Sequence, residues 1–340
     1  MAARTYIVSR AEAGRTVADW LRMRLGLAPA DVRHWLRERR VVVGGFPCPD
    51  PFRRLQRGQR LEIHSLAPLR EPSPSKKDDP RASTGQPRLV FADDHIVVVD
   101  KPPGMTTMRH AEDVAEFGPR ARRFLPPTLA DLIPALLAKG RHGRPGTVRA
   151  VHRIDNETSG LVVFARTADA ERRLGGQFRA HSTDRLYLAL VRGQVYDGRI
   201  ESVLVRDRGD GRRGSTTTPQ SDGQRAVTHV RVVEALGEYS LVECRLETGR
   251  THQVRIHLGE AGTPLCGERV YDRPLHGRPF PDGSGAKRAM LHATTLGFDH
   301  PATGERVRWT SSPPGDMRNL LQELRRRVLK PPRDNDGSVM

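Results

Sequence analysis

The chain has 340 residues, enough for one large core or two ordinary ones, and its 57 Lys plus Arg against 40 Asp plus Glu give a formal charge of +17, the electrostatic footprint of a polyanion partner. The three cysteines, Cys48, Cys244 and Cys266, have no Cys-x-x-Cys spacing and imply neither a disulfide framework nor a zinc site. The longest apolar runs are strand-sized, and residues 1–14 lack the apolar core of a signal peptide, so a soluble, cytoplasmic protein with no membrane association is expected.

From the N-terminus, Val17, Trp20, Leu21 and Leu25 recur at helical spacing, and Val32, Trp35 and Leu36 predict a second helix with Asp31 in its first turn. The other face of that helix is basic, with Arg33, Arg37, Arg39 and Arg40 leading into the short strand Val41-Val42-Val43 and a Gly44-Gly45 turn. A further strand follows at residues 61–63, after Arg53, Arg54, Arg57 and Arg60. Helix, Arg-x-Arg-Arg-Val-x-Val-x-Gly and a basic hairpin ending at Gly58-x-x-Leu61 resemble the αL RNA-binding domain of ribosomal protein S-four, with Gly44 where that family usually has Asn. The resemblance implies a small RNA-binding module over residues 1–66; a structural cap with solvated arginines is the alternative. Residues 67–87 are rich in Pro, Ser, Lys and Asp, and bury too little to offset their ordering entropy, which predicts a flexible linker.

A larger domain is expected over residues 88–330. Two apolar strands flank the turn Asp93-Asp94-His95 and stop at Pro102-Pro103-Gly104-Met105. Residues 128–138 read as a helix through Leu129, Leu132, Ile133 and Leu136, inside an arginine- and glycine-rich stretch, residues 106–147, that matches no other pattern. A strand at residues 161–165 is followed by a helix with Ala170, Leu174 and Phe178 on one face, then by a strand at residues 185–191. The arginine-rich excursion at residues 207–225 ends in Asp222-Gly223, a hairpin signal. Strands at residues 227–234 and 239–246 precede Gly249, after which a short helix opens, and strands at residues 291–298 and 306–310 follow. Asp316 is placed to cap a last helix through Met317, Leu320, Leu321, Leu324 and Val328, and residues 331–340 are expected to fray. Strands outnumber helices without alternating regularly with them, so the class is α+β rather than doubly wound.

The candidate chemistry lies in Val151-His152-Arg153-Ile154-Asp155-Asn156-Glu157-Thr158-Ser159-Gly160, a carboxylate on a small-residue turn set against an apolar strand. Arg153 and Arg250 are candidate charge partners for Asp155, although Arg-x-Asp taken singly is equally the mark of a structural ion pair. There is no phosphate-cradling loop, no dinucleotide fingerprint and no His-Glu-x-x-His, so no cofactor and no metal is expected. His252 and His257, five apart, do not share a helix face, and a hydrolase drawn from Ser159, His152 and Asp155 lacks a nucleophile elbow.

Five segments in order, namely Pro102-Pro103-Gly104-Met105, His152-Arg153-Ile154-Asp155 with Thr158-Ser159-Gly160, Tyr187-Leu188-Ala189-Leu190-Val191-x-Gly193, Thr248-Gly249-Arg250-Thr251-His252-Gln253-Val254-Arg255-Ile256-His257-Leu258, and Leu291-His292-Ala293 with His300-Pro301, resemble the RluA-type pseudouridine synthases. The resemblance covers roughly residues 88–320. It implies a mixed, largely antiparallel sheet and a cofactor-free isomerisation of uridine in structured RNA, ribosomal RNA first and tRNA as the alternative, by a monomer. It makes Asp155 the catalytic aspartate, Tyr187 the residue that stacks on the uracil and has a proton-transfer role, Arg250 the basic residue paired with the aspartate, and Arg153, His252 and Arg255 contacts to the RNA. Ile154, Ile256 and Leu258, with the runs at residues 161–164 and 254–258, would wall an apolar pocket. Asn156 stands where a longer residue is frequent in that family. A catalytically silent RNA-binding or ribosome-assembly factor on the same fold, and a nucleoside-cleaving hydrolase using Asp155, are the rival readings.

Overall fold

The computed structural model describes residues 4–28, 31–32, 35–36, 40–44, 46–48, 50–63, 85–109, 125–139, 147–217 and 222–329. The expected linker falls almost entirely outside these residues, as do Arg33, Arg37, Arg39 and the tail at 331–340. The chain divides into two compact units, Met1–Asp79 and Pro80–Met340.

In the first unit, β1 (Arg4–Ile7), β2 (Val41–Val43), β3 (Phe46–Pro47) and β4 (Arg60–Ile63) form a four-stranded sheet of order β1-β4-β2-β3, with α1 (Val17–Leu25) packed on its core. Thr16 caps α1 by accepting from Asp19 N–H, and Gly26, at φ 66°, ends it in the left-handed conformation that glycine adopts without steric cost. Val17, Trp20 and Leu21 face a core that includes Val32, Leu36, Val41, Val43, Leu61 and Ile63. Positions 31–32 and 35–36 are helical, as their apolar spacing predicts.

The second unit begins with β5 (Arg88–Ala92) and β6 (Ile96–Lys101), then α2 (Leu129–Lys139), β7 (Arg149–Ala150), β8 (Ser159–Ala165) and α3 (Ala168–Arg179). β9 (Asp184–Arg192), β10 (Gly198–Val205), β11 (Gly214–Thr216), β12 (Gln224–Leu236) and β13 (Tyr239–Leu246) follow. α4 (Gln253–Glu260), β14 (Leu291–Asp299), β15 (Arg306–Thr310) and α5 (Gly315–Leu329) complete it. Eleven strands form one sheet of order β11-β10-β12-β13-β9-β14-β8-β6-β5, with β15 on β14 and β7 on β8. Every pairing is antiparallel except β14 with β8. The class is α+β with a mixed, largely antiparallel sheet.

Alternation along β6 and β8 decides where the helices go. Val98, Leu161 and Val163 pack on one face with Ala170 and Leu174 of α3, while Val97, Val99, Val162 and Phe164 pack on the other with Leu129, Ile133 and Leu137 of α2. The strand behind Asp155 is therefore buried on both sides. Gly160, at φ 113°, sits where β8 meets β14, and a Cβ there would overlap the backbone of Ala293. Only glycine lets the parallel pair close at that point.

Candidate active site

Asp155 lies in the loop between β7 and β8, and a second loop, residues 101–107, holds it in place. Thr107 Oγ1 donates to Ile154 O at 2.8 Å, Gly104 N–H donates to Asn156 O at 2.9 Å, and the Asn156 amide donates back to Gly104 O at 3.2 Å and Thr106 Oγ1 at 3.1 Å. Lys101 is fully buried, and its Nζ donates to the carbonyls of Pro102, Met105 and Asn156 at 3.1, 2.7 and 3.0 Å. Burial pushes its ammonium down to about 7, and the carboxylate of Asp155 works against that push. Three carbonyls match the three donors of the charged form. The Pro-Pro-Gly-Met segment thus acts as a hydrogen-bonded clamp on the aspartate loop, and Asn156 is part of the clamp.

Asp155 opens onto a cavity of about 380 Å³ whose lining includes Arg153, Ile154, Tyr187, Arg250, His252 and Arg255, a size suited to a small ligand group. Its carboxylate is 18% exposed and stands 3.8 Å from Arg255 Nη1 and 3.8 Å from His252 Nε2. Arg255 comes from the first turn of α4 and is itself fixed by Glu268, which accepts from its Nε and Nη2 at 2.7 Å each. Glu268 Oε1 also accepts from the N–H groups of Val270 and Tyr271 at 2.9 and 3.3 Å. Glu268 remains ionised: its bonds to Arg255 and to these backbone donors oppose the upward push of burial, and its pKa stays below the ordinary value.

His252 precedes α4 with φ 58°, an unusual conformation for a residue with a side chain and one associated with functional sites. The turn aims Nε2 at Asp155 and places Nδ1 at 2.6 Å from the Tyr271 hydroxyl. Burial lowers the imidazole's pKa despite the neighbouring Asp155. Tyr187, on β9, is half-buried between two apolar clusters, and burial raises its phenol to about 12, so it stays protonated at neutral pH.

Several expectations need correction. Arg250 is not the cation beside Asp155: its Nε donates to Arg225 O at 3.1 Å on the β12 side, and among the described residues Arg255 and His252 are the ion-pairing neighbours of the carboxylate. The reason is position along the chain, because Arg250 lies in the turn before α4 whereas Arg255 lies in the first turn of the helix. Arg255 in turn is not a free RNA contact, since its guanidinium is bound by Glu268. Ile256 and Leu258 do not line the cavity. Ile256 packs with Leu204, Ala226 and Tyr271, and Leu258 with Ala189, Val242 and Leu265, whereas Val254 and Ile154 do reach the cavity. The run at residues 161–164 is core on both faces of the sheet rather than pocket wall.

No hydrolase triad forms. Ser159 Oγ is 3.0 Å from His292 Nδ1 in the core, while His152 accepts from Val163 N–H at 3.0 Å and stacks on Phe178 at 4.4 Å between ring centres. Arg40 lies in the first unit, its guanidinium 5.9 Å from the Trp35 ring centre. Sequence reasoning missed Lys101, Arg185, Glu268 and Tyr271. The last two fall in Gly267-Glu268-Arg269-Val270-Tyr271, where Glu268 sits between Gly267 and Arg269 and carries no local signal of its role.

Among the described residues, no group of three or more His, Cys, Asp or Glu is placed to hold a metal ion, and no helix is long and apolar enough to cross a membrane. Residues 95–260 match the family model described as RNA pseudouridylate synthase. A ribosomal large subunit pseudouridine synthase D of Neisseria meningitidis is 33% identical over 325 residues, covering 92% of this chain and 77% of the relative. An RNA pseudouridine synthase of Bacillus subtilis is 35% identical over 317 residues, with 92% of each chain covered. The solved structure of human RNA pseudouridylate synthase domain containing 4 shares the fold, with a TM-score of 0.55 and 24% identity over 70% of this chain and 93% of that one. The clamped aspartate, the pocket around it and these relatives lead to one assignment: the chain belongs to the RNA pseudouridylate synthase family, isomerases that act on uridine in RNA.

Proposed function

We propose that this enzyme converts specific uridines of large-subunit ribosomal RNA to pseudouridine in the cytoplasm, acting as a monomer, with Asp155 as the reacting carboxylate. The observation that carries the reading is the meeting of Asp155 and Tyr187 in one pocket, with Arg255 at 3.8 Å from the carboxylate and locked there by Glu268. Relatives named for the ribosomal large subunit favour that RNA over tRNA.

A uridine inside stacked RNA is out of reach, so it is extruded into the pocket at a cost of a few kcal/mol that contacts to the strand offset. Tyr187 presents a π-face to the base. The C1′–N1 bond breaks, the uracil turns, C1′ bonds to C5, and the C5 proton is transferred to N1, so that substrate and product are isomers. Asp155 serves this sequence either by bonding to C1′ or by taking the C2′ proton on the way to a glycal. Arg255, gripped by Glu268, keeps the carboxylate aimed while water is excluded. Arg250 and Arg153, on the pocket rim, contact the strand.

Along the chain, we assign residues 1–66 as an RNA-binding module, 67–87 as a linker and 88–330 as the catalytic domain. Replacing Arg33, Arg37, Arg39 and Arg40 together by Gln is expected to weaken RNA binding and flatten its salt dependence; an unchanged slope would make the module a structural cap.

The deciding experiment incubates the purified protein with unmodified ribosomal and transfer RNA in EDTA and maps pseudouridine chemically, beside Asp155→Asn. New pseudouridine in ribosomal RNA that vanishes in the variant, while the variant still binds RNA, is the expected result. Modification retained by Asp155→Asn would remove Asp155 from the role, sites in tRNA alone would change the substrate, and tight binding without modification would favour an assembly factor.

A further inference from the structure

One wall of the cavity carries a cation that nothing described so far explains. Arg185, on β9 two residues before Tyr187, is only 7% exposed and lines the cavity together with Arg250 and His181. Among the described residues its guanidinium makes one hydrogen bond, from Nη2 to Glu247 O at 3.3 Å, and its buried Nε has no partner. The ring of Phe178 lies beneath it at 5.7 Å. Among the described residues no carboxylate comes within ion-pairing distance: Glu247, whose carbonyl it touches, turns its carboxylate to His229 at 2.6 Å and Arg199 at 3.9 Å. Burial weighs against the charge of Arg185, and Arg250 adds to the penalty.

A buried cation without a counter-ion is costly, by several kcal/mol before compensation. Evolved interiors supply a carboxylate in such places, as Glu268 does for Arg255 on the opposite wall. Here the neighbours are a second guanidinium and an imidazole. Among the described residues Arg250 donates only from its Nε, and His181, held at φ 57° just past the end of α3, is kept below its ordinary pKa by burial and then by Arg185, Arg250 and Arg225. The geometry around Gly249 is also built for Arg185: a Cβ at that position would overlap Arg185 Nη1, so glycine is what lets the guanidinium lie along the turn that presents Arg250.

We propose that Arg185, with Arg250 and His181, forms a phosphate subsite in the pocket wall that takes a backbone phosphate of the RNA next to the extruded uridine. The proposal rests on the uridine isomerase reading for the identity of the anion. A guanidinium offers parallel N–H donors that match phosphate oxygens, and an arriving phosphate supplies the missing counter-charge. Phosphate contacts fix the register of a strand without reading its sequence, so this subsite would position the target nucleotide rather than choose it. A merely structural Arg185 would instead be held by Phe178 and Glu247 O alone, and its loss would lower thermal stability without changing how binding responds to salt.

The test measures binding of an unmodified transcript of large-subunit ribosomal RNA across a salt series, in the Asp155→Asn background, for otherwise unchanged protein, Arg185→Gln and Gly249→Ala. Read this way, binding does not depend on turnover, so a failed isomerase assay and a failed subsite are told apart. Arg185→Gln is expected to weaken binding about tenfold at moderate salt and to reduce the slope of log Kd against log salt by about 0.7 to 0.9, the share of one phosphate. Gly249→Ala keeps the arginine but displaces its head, and is expected to reduce the slope likewise, which guards against a folding defect in the first variant. A slope unchanged in Arg185→Gln, with or without a lower melting temperature, would overturn the proposal, as would an unchanged slope in Gly249→Ala should Arg185→Gln fail to fold.

Discussion

The two walls of the cavity handle charge in opposite ways. On the Asp155 side every charged group is matched: Arg255 is gripped by the fully buried carboxylate of Glu268, Glu268 collects backbone N–H groups, and His252 is tied to Tyr271. On the Arg185 side two guanidiniums, Arg185 and Arg250, line the wall, and among the described residues no carboxylate comes within ion-pairing distance of Arg185. Charges paired within the protein set geometry before the substrate arrives, which is what a reacting group needs. Charges left unpaired are a demand on the substrate, and RNA is the molecule that meets it.

The largest expected effect tests the paired wall. Glu268→Gln leaves Arg255 buried beside a neutral amide and should cost about 3–5 kcal/mol of stability, and the displaced Arg255 should slow isomerisation roughly a hundredfold. Thermal melting and single-turnover rates check both, and a variant as stable and as fast as the parent would mean that the pairing does not support the site. Lys101→Met strands three carbonyls around the aspartate loop and is expected to cost roughly 3 kcal/mol, with a loss of rate but little change in RNA affinity. If RNA affinity fell more than the rate, the 101–107 loop would be a binding element instead.

On the unpaired wall, His152 lies under Phe178 with its pKa lowered to about 3 by burial and then by Arg185. The folded state thus binds fewer protons than the unfolded chain between pH 6.5 and 3. The stability contributed by neutral His152 is complete above pH 6.5 and drains away as the pH falls, by about 2 kcal/mol at pH 5. Urea denaturation at pH 8 and pH 5 should show that loss, and His152→Gln should reduce it; the same loss in the variant would assign it to other groups. The smallest effect belongs to Tyr271→Phe, which removes the hydrogen-bond partner of His252 Nδ1 and should cost about 1 kcal/mol, seen as a severalfold slower rate at unchanged RNA affinity. No change in rate would leave His252 without a role in holding Asp155.

Local signals made much of the fold legible. The apolar spacing of Val17, Trp20, Leu21 and Leu25 marks α1 to the residue, and the alternating strands around Asp155 and Tyr187 place both residues next to the sheet. What stayed hidden depends on distance in space. β10, which joins β11 to β12, went unread because its burial alternates only at its exposed start, and the flanking arginines look like loop. Arg250 and Arg255 share one motif, and choosing between them as the partner of Asp155 requires knowing which side of α4 faces the aspartate loop. Arg185 reads as the first residue of a strand; its meaning comes from Gly249, 64 positions later, where a missing side chain makes room for it.

The single parallel pair in the large sheet bears on the order in which the enzyme can assemble. Ser159 meets His292 across β8 and β14, 133 positions apart, and the Arg288 guanidinium donates to Glu157 O at 2.9 Å over a similar span. Contacts that close so long a stretch of chain form slowly, since the entropy of closure must be met before they stabilise anything. Closure of the aspartate loop against β14 is therefore expected among the slower steps of folding.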